Sequence, residues 1–304
     1  MYKKYHLIIV GAVLFAAMGM TEHVSIDRNK KLPAVPRHHY TANGQGYTEF
    51  LDVQYGNVEG RDNLLDAYLP DNRSDSTKVI VYIHGGSWVH GDKKELPRLF
   101  IDELVGRQGY AVATINYRLV KNGQNIFPAQ IEDIRNALAF ISGYAKEYRY
   151  CPDKFALMGA SAGAHLALLY AYSYDSLKQV KTVIDIFGPT DLADPTVRAP
   201  GLESNDIIVN YLGTADTAAP VVKKASPYYQ LSKASGVPTI LFHGTADELV
   251  NVRQSEKLYE KLKNLQILAQ LELYPGGKHD LPPQMAVDVF GKIIAWLKKY
   301  YPAK

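Results

Sequence analysis

Apolar positions along the chain fall into two rhythms, and the change from one to the other is the first clue to the fold. Over residues 50–55 and 64–69 they alternate with polar ones, the pattern of half-buried strands, and the two runs predict an antiparallel opening hairpin. Beyond that point the alternation stops. Residues 79–83 form a continuous apolar run, 110–115 form another, and 154–158, 180–187, 237–242 and 269–274 also read as strands. A strand that is apolar on both faces must be covered on both faces. The stretches between supply that cover: apolar residues recur at helical spacing near 96–105, over 129–148, 164–172 and 254–262, and again over 285–300. Strands alternating with helices predict an α/β fold, a mostly parallel sheet of eight strands joined by right-handed crossovers and flanked by helices. In such a sheet ligands gather at the carboxyl ends of the strands.

Two segments break the rhythm. Residues 191–226, rich in Ala, Pro, Thr and Gly, are too long for a plain connection, and they predict a lid-like insertion with a short helix near 205–211. The competing reading is a surface insertion unrelated to any site. At the other end, Lys3 and Lys4 precede an uncharged apolar stretch at 7–17, and Ala17-Met18-Gly19 offers small residues for cleavage. That is the pattern of a secretory signal over residues 1–19, with an uncleaved anchor as the alternative. Residues 20–45 are polar and without period, a tether into a single catalytic-sized domain over 46–304.

Composition narrows the classes. With 47% hydrophobic residues over 304 positions, the chain can bury a full core. Formal net charge is +3, of which Lys3 and Lys4 carry two, and no dense basic block occurs elsewhere. Neither nucleic acid nor an anionic membrane surface is an expected partner, and stable membrane insertion is not expected once the signal is removed. The single cysteine, Cys151, allows no intrachain disulfide and reads as a small buried hydrophobe. The 22 tyrosines are expected mostly at half-buried surface positions, some of them able to stack on sugars or aryl groups.

The candidate chemistry begins at Gly159-Ala160-Ser161-Ala162-Gly163, between a predicted strand and a predicted helix. A sharp strand-to-helix turn brings backbone close on both sides of the serine, so positions two before and two after it must lack side chains. A serine hydroxyl is a poor nucleophile without a base, and the base needs an acid to fix its tautomer. Asp247 follows the strand 237–242, and His279 follows the strand 269–274, both at carboxyl ends. Singly, Ser161 and Asp247 could be helix caps and His279 a loop residue. Glu248 and Asp280 are rival acids, less well placed. For the oxyanion, backbone N–H groups of Gly86 and Ser87 after strand 79–83, with that of Ala162, are the expected donors. His165, four residues after Ser161, is expected buried and hydrogen-bonded; His84 and His243 are expected to brace loops. His38-His39 has no partners at metal-ligand spacing, so no metal site is expected.

These residues resemble the α/β-hydrolase superfamily, and within it esterases related to hormone-sensitive lipase, above all the acetyl-xylan and feruloyl esterases of Bacteroidetes. The resemblance rests on Tyr55-Gly56, Asp66-Ala67-Tyr68-Leu69-Pro70, His84-Gly85-Gly86-Ser87-Trp88, Asn116-Tyr117-Arg118-Leu119 and Phe127-Pro128-Ala129-Gln130 with Asp133. It extends through the elbow to Ser226-Pro227 and His243-Gly244-Thr245-Ala246-Asp247. The chain order Ser161, Asp247, His279 is that of the superfamily. Ser87 stands where the lipase relatives carry a third glycine, and Ala164 where glycine is usual. The first change moves the likeness toward carbohydrate esterases and kynurenine formamidases.

What the resemblance implies is an exported, periplasmic or secreted, serine carboxylesterase. It would act on a small-molecule or oligosaccharide ester, acetyl or feruloyl, and needs no metal or organic cofactor. A peptidase or amidase on the same fold is the nearest alternative, and a non-catalytic ligand-binding receptor the more distant one.

Overall fold

The computed structural model describes residues 37–42, 45–58 and 60–303, so the predicted signal at 1–19 and the tether up to residue 36 lie outside the described residues. Among the described residues, nine strands form one sheet: β1 (Arg37–Ala42), β2 (Gln45–Gln54), β3 (Leu64–Pro70), β4 (Val79–Ile83), β5 (Ala111–Ile115), β6 (Phe155–Ala160), β7 (Val180–Ile186), β8 (Thr239–Gly244) and β9 (Ala269–Tyr274). Their spatial order is β1-β2-β3-β5-β4-β6-β7-β8-β9. The first three pair antiparallel, as does β3 with β5; from β5 onward every pairing is parallel.

All eight predicted strands are present, and β1 is added to them. Residues 37–42 are therefore not tether but an edge strand paired with β2. Their polar character hid them, because an edge strand has no need of an apolar face. The strand predicted at 237–242 runs instead from Thr239 to Gly244, since Pro238 lacks an amide to enter the ladder.

The helices are α1 (Arg98–Ile101), α2 (Ala129–Tyr148), α3 (Ala162–Leu169), α4 (Pro195–Arg198), α5 (Glu203–Leu212), α6 (Pro220–Lys224), α7 (Pro227–Gln230), α8 (Arg253–Asn264) and α9 (Pro283–Tyr300). A π-helical turn at Asp102–Arg107 prolongs α1 over the stretch predicted as one helix.

The continuous apolar strands are explained by two cores. Val79, Val81 and Ile83 of β4 join a layer with Ile131, Ile134 and Leu138 of α2 and Leu166 of α3. Ile80 and Tyr82, on the opposite face, pack with Leu104 and with Ile293 and Trp296 of α9. The same split divides Phe155 and Leu157 from Ala156 and Met158 on β6. A side-chain period of two puts successive residues on opposite faces, so a strand covered on both sides must be apolar throughout.

The tyrosines correct a second expectation. Tyr47, Tyr110, Tyr117, Tyr211 and Tyr301 are almost wholly buried. Three of them reach backbone carbonyls: Tyr110 Oη donates to Tyr301 O at 2.9 Å, Tyr117 Oη to His84 O at 3.1 Å and Tyr301 Oη to Val79 O at 3.0 Å. Tyr47 Oη donates to the Asp102 carboxylate at 2.5 Å, while Tyr211 Oη has no partner among the described residues.

The strand order reverses around β4: the chain passes outward to β5, then crosses back to β6. Loops after β4 and β6 therefore open into the crevice where ligands sit in such sheets. Truncating Leu157, fully buried at the centre of β6, is expected to cost about 2–5 kcal/mol of unfolding free energy. Leu273→Ala, at a position 39% exposed on the edge strand β9, is expected to stay within about 0.5 kcal/mol. Urea denaturation of both variants checks the contrast.

Candidate active site

Ser161 sits between β6 and α3 with φ 52° and ψ −120°, a backbone conformation costly for any residue with a side chain. The flanking glycines show why the turn closes there. A Cβ on Gly163 would lie 2.0 Å from the carbonyl oxygen of Ile83, and one on Gly159 would lie 2.4 Å from the carbonyl carbon of Gly163. The elbow is thus wedged against the end of β4, and only backbone fits.

Ser161 makes no side-chain capping bond to α3. Its Oγ lies instead 2.9 Å from His279 Nε2, and His279 Nδ1 lies 2.6 Å from Asp247 Oδ2. Three residues spread over 118 positions of sequence meet at the carboxyl ends of β6, β8 and β9. Asp247 does not cap α8 either. Its Oδ1 accepts the amides of Leu249 at 3.0 Å and Val250 at 2.8 Å, which turns Oδ2 toward the histidine. Burial alone would raise the Asp247 carboxyl, but hydrogen bonds from His243 and His279 and the Val250 amide hold it well below the ordinary carboxylate range. Glu248 and Asp280, the rival acids, are exposed. The ring of Phe187 packs on His279 with centroids 4.6 Å apart.

The loop after β4 is braced from below. His84 stacks on Tyr117 at 4.3 Å, its Nδ1 bonds Gly85 O at 2.8 Å, and Tyr117 Oη donates to the carbonyls of His84 and Gly85. Further along, the buried Lys93 anchors the segment through Nζ at 2.6 Å from Asp66 and 2.7 Å from Asp52. Gly86 O accepts the amides of Val89 and His90, forming a tight turn in which Ser87 and Trp88 both hold positive φ. Ser87 and Ala162 line the same cavity as Ser161, and Ala162 opens α3, so its N–H is among those a helix leaves unpaired. Gly86 immediately precedes Ser87.

The insertion at 191–226 carries more helix than expected, α4, α5 and α6, with α5 longer than the predicted segment. It is tied down at both ends. Lys257 of α8 reaches Asp191 and Asp194, each at 2.6 Å, and Gln254 Oε1 accepts the amides of Thr190 and Asp191. His165, buried as expected, meets Ala225 O through Nε2 at 2.7 Å. Between these ties Tyr211 of α5 stacks on Trp88 with centroids 4.1 Å apart, and His165 stands edge-on to both.

Two spaces flank Ser161 and His279. One, with about 320 Å³ of empty volume, lies under α5 and is walled by Trp88, Val197, Ile207, Ile208 and Val250. The other is an open cleft with about 710 Å³ of empty volume, bordered by His279, Glu203, Glu248 and Lys278. Leu249 separates them, lining both. An apolar cleft beneath α2, lined by Phe50, Phe140 and Tyr148, is apart from these residues.

With the geometry established, comparison with known proteins gives a family. The BD-FAE family model matches residues 65–262. The chain belongs to the BD-FAE family. A relative from Mycobacterium tuberculosis named "Probable carboxylic ester hydrolase LipM" is 30% identical over 263 residues, which is 81% of this chain and 58% of that protein. The chain spans little more than half the length of such curated relatives. Among solved structures, a bifunctional GH43-CE protein from Bacteroides eggerthii superposes with TM-score 0.71 at 26% identity, covering 83% of this chain and 38% of the other. A truncated carbohydrate esterase from gut microbiota gives TM-score 0.68 at 25% identity over 87% of this chain and 99% of the other. This BD-FAE member has the α/β-hydrolase fold, a mostly parallel sheet flanked by helices.

Sequence reasoning missed three parts of the site: the Trp88–Tyr211 stack, the Phe187 ring against His279, and the buried Asp185 on β7. Asp185 Oδ1 accepts the Gly188 amide at 2.8 Å and Oδ2 has no partner among the described residues. A lone acid in an apolar run was the available signal. Burial pushes its carboxyl up to about 7, against the pull of the Gly188 amide and His243, whereas burial pulls His165 down to about 4.

The two groups act on stability with opposite signs. Asp185 stays protonated in the fold while the unfolded chain ionises above 3.8, so its contribution falls as pH rises from about 4 to about 7. His165 stays neutral in the fold while the unfolded chain takes up a proton below 6.5, so its contribution falls as pH drops toward 4. Asp185→Asn removes only the first effect. The melting temperature of the variant is expected to gain steadily on wild type between pH 4 and 7, and a melting series over that range checks it.

Proposed function

We propose that this protein is a serine carboxylesterase that hydrolyses short-chain, carbohydrate-linked esters through an acyl-enzyme. The observation that carries the reading is the continuous contact from Ser161 Oγ to His279 Nε2 and from His279 Nδ1 to Asp247 Oδ2. In the reaction Ser161 Oγ attacks the ester carbonyl carbon while His279 Nε2 takes its proton. The carbonyl oxygen becomes an oxyanion facing the amides of Gly86, Ser87 and Ala162. As the tetrahedral centre collapses, the C–O bond to the alcohol breaks and His279 returns the proton to the leaving oxygen. Water, deprotonated by the same imidazole, then releases the acid and restores Ser161. Asp247 fixes the tautomer and stabilises the imidazolium that forms twice per turnover.

The two spaces support an arrangement of the substrate's two ends. His279 protonates the departing alcohol, so that group lies on the histidine's side, in the open cleft bordered by Glu203, Glu248 and Lys278. Hydrogen-bonding side chains there suit a polyhydroxylated alcohol better than a lipid. The acyl group then lies under α5 against Ile207 and Ile208, where an acetyl group fits more readily than a feruloyl ring. Relatives bearing carbohydrate-esterase and ester-hydrolase names agree with this reading. Export is part of the proposal and rests on the leader-like residues 1–19.

Ser161→Ala and His279→Ala are each expected to lower kcat/KM on p-nitrophenyl acetate by about 10³-fold or more. Wild-type activity in the Ser161 variant would overturn the assignment. An ester panel is expected to rank acetyl above butyryl, octanoyl and feruloyl, and an acyl anilide to be cleaved far more slowly than the matching aryl ester. Ile207→Ala, at a half-buried position, is expected to raise butyryl relative to acetyl turnover. An octanoyl preference in wild type would replace the carbohydrate-ester reading with lipase-like chemistry.

A further inference from the structure

We infer that His243 is a positioning residue for Asp247, setting where that carboxylate sits and how much of its charge faces His279. The inference rests on the triad reading above. His243 ends the apolar run of β8, and its side chain is fully buried. Its Nε2 lies 2.7 Å from the Val250 carbonyl and 3.2 Å from Asp247 Oδ2, and its Nδ1 lies 2.7 Å from Ser255 Oγ on α8.

The partners dictate the tautomer. A carbonyl and a carboxylate both accept, so the proton belongs on Nε2; Nδ1 then offers a lone pair to the Ser255 hydroxyl, which donates. The result is a closed loop of contacts. His243 holds the carbonyl of Val250, the amide of Val250 holds Asp247 Oδ1, and Asp247 Oδ2 faces both imidazoles. Two histidines therefore draw on one oxygen, His279 at 2.6 Å and His243 at 3.2 Å. The other titratable group facing His243 is Asp185, on the neighbouring strand β7; β9 contributes Leu273 in register, and α8 the non-titrating Ser255.

Removing the Nε2–H releases the Val250 carbonyl and leaves more of the Asp247 carboxylate charge for His279. The imidazolium is then held to higher pH, and the acid limb of the pH profile moves upward. A residue that merely props the loop would cost stability and move nothing in that profile.

The test compares His243→Leu, which has no donor, with His243→Gln, whose amide can reach the place of Nε2, on p-nitrophenyl acetate across pH 5–9. The leucine variant is expected to lose roughly 10- to 100-fold in kcat/KM, the scale on which partners of metal-bound histidines act. Its acid limb is expected to move up by about half a pH unit or more. The glutamine variant is expected to recover most of the loss and to keep the wild-type limb. Equal losses in both variants with an unmoved limb, or wild-type kinetics in the leucine variant, would overturn the inference. Should the leucine variant fail to fold, Ser255→Ala frees the tautomer with the ring in place; a lowered kcat/KM with a displaced limb supports the inference, and unchanged kinetics overturns it. Ser161→Ala and His279→Ala run alongside, because activity in those variants would defeat the triad reading itself, whatever His243 does.

Discussion

The wedge of the elbow against the end of β4 is the constraint on which the site depends. Gly163 lies so close to the Ile83 carbonyl that a methyl group at that position would overlap it. This contact fixes α3 relative to the loop after β4, and with it the separation of the Ala162 and Ser87 amides. It also fixes the direction of Ser161, whose strained backbone persists because β6 and α3 are each held by a full apolar layer. Moving either layer would release the strain and swing the hydroxyl away.

That dependence runs outward in steps. β4 and β6 keep register only because both faces are covered, by α2 and α3 on one side and by α1 and α9 on the other. The loops at their carboxyl ends are then fastened by polar ties: Lys93 to Asp66, His84 to Tyr117, Lys257 to Asp191 and Asp194. Packing sets where the strands end, and hydrogen bonds set what their ends present. Neither alone would place a serine within reach of a histidine 118 residues later.

Much of this was legible in the chain. Strands that bury both faces announce themselves as unbroken apolar runs, so β4 to β7 were readable, and the glycines around Ser161 carried the elbow because no other residue fits there. Asp247 and His279 were readable from their place just past strand ends. What escaped was whatever depends on contact at long range. Strand β1 looked like tether because an edge needs no apolar face. Interior tyrosines such as Tyr110 and Tyr301 looked like surface because their hydroxyls find carbonyls far along the chain, as Tyr301 does at Val79. The stack of Trp88 on Tyr211 joins residues 123 positions apart, and neither has a local pattern to betray it.

That stack gives the insertion a double allegiance. Trp88 belongs to the turn that carries Ser87, and Tyr211 belongs to the helix that roofs the small cavity. A roof that rested on inert scaffold could open and leave the turn after β4 undisturbed. Here the roof and that turn share an aromatic contact, so opening the small cavity and loosening the turn are one movement. In the proposed reaction, tolerance for bulkier acyl groups and sharpness of oxyanion geometry are then opposed properties of the same pair of rings.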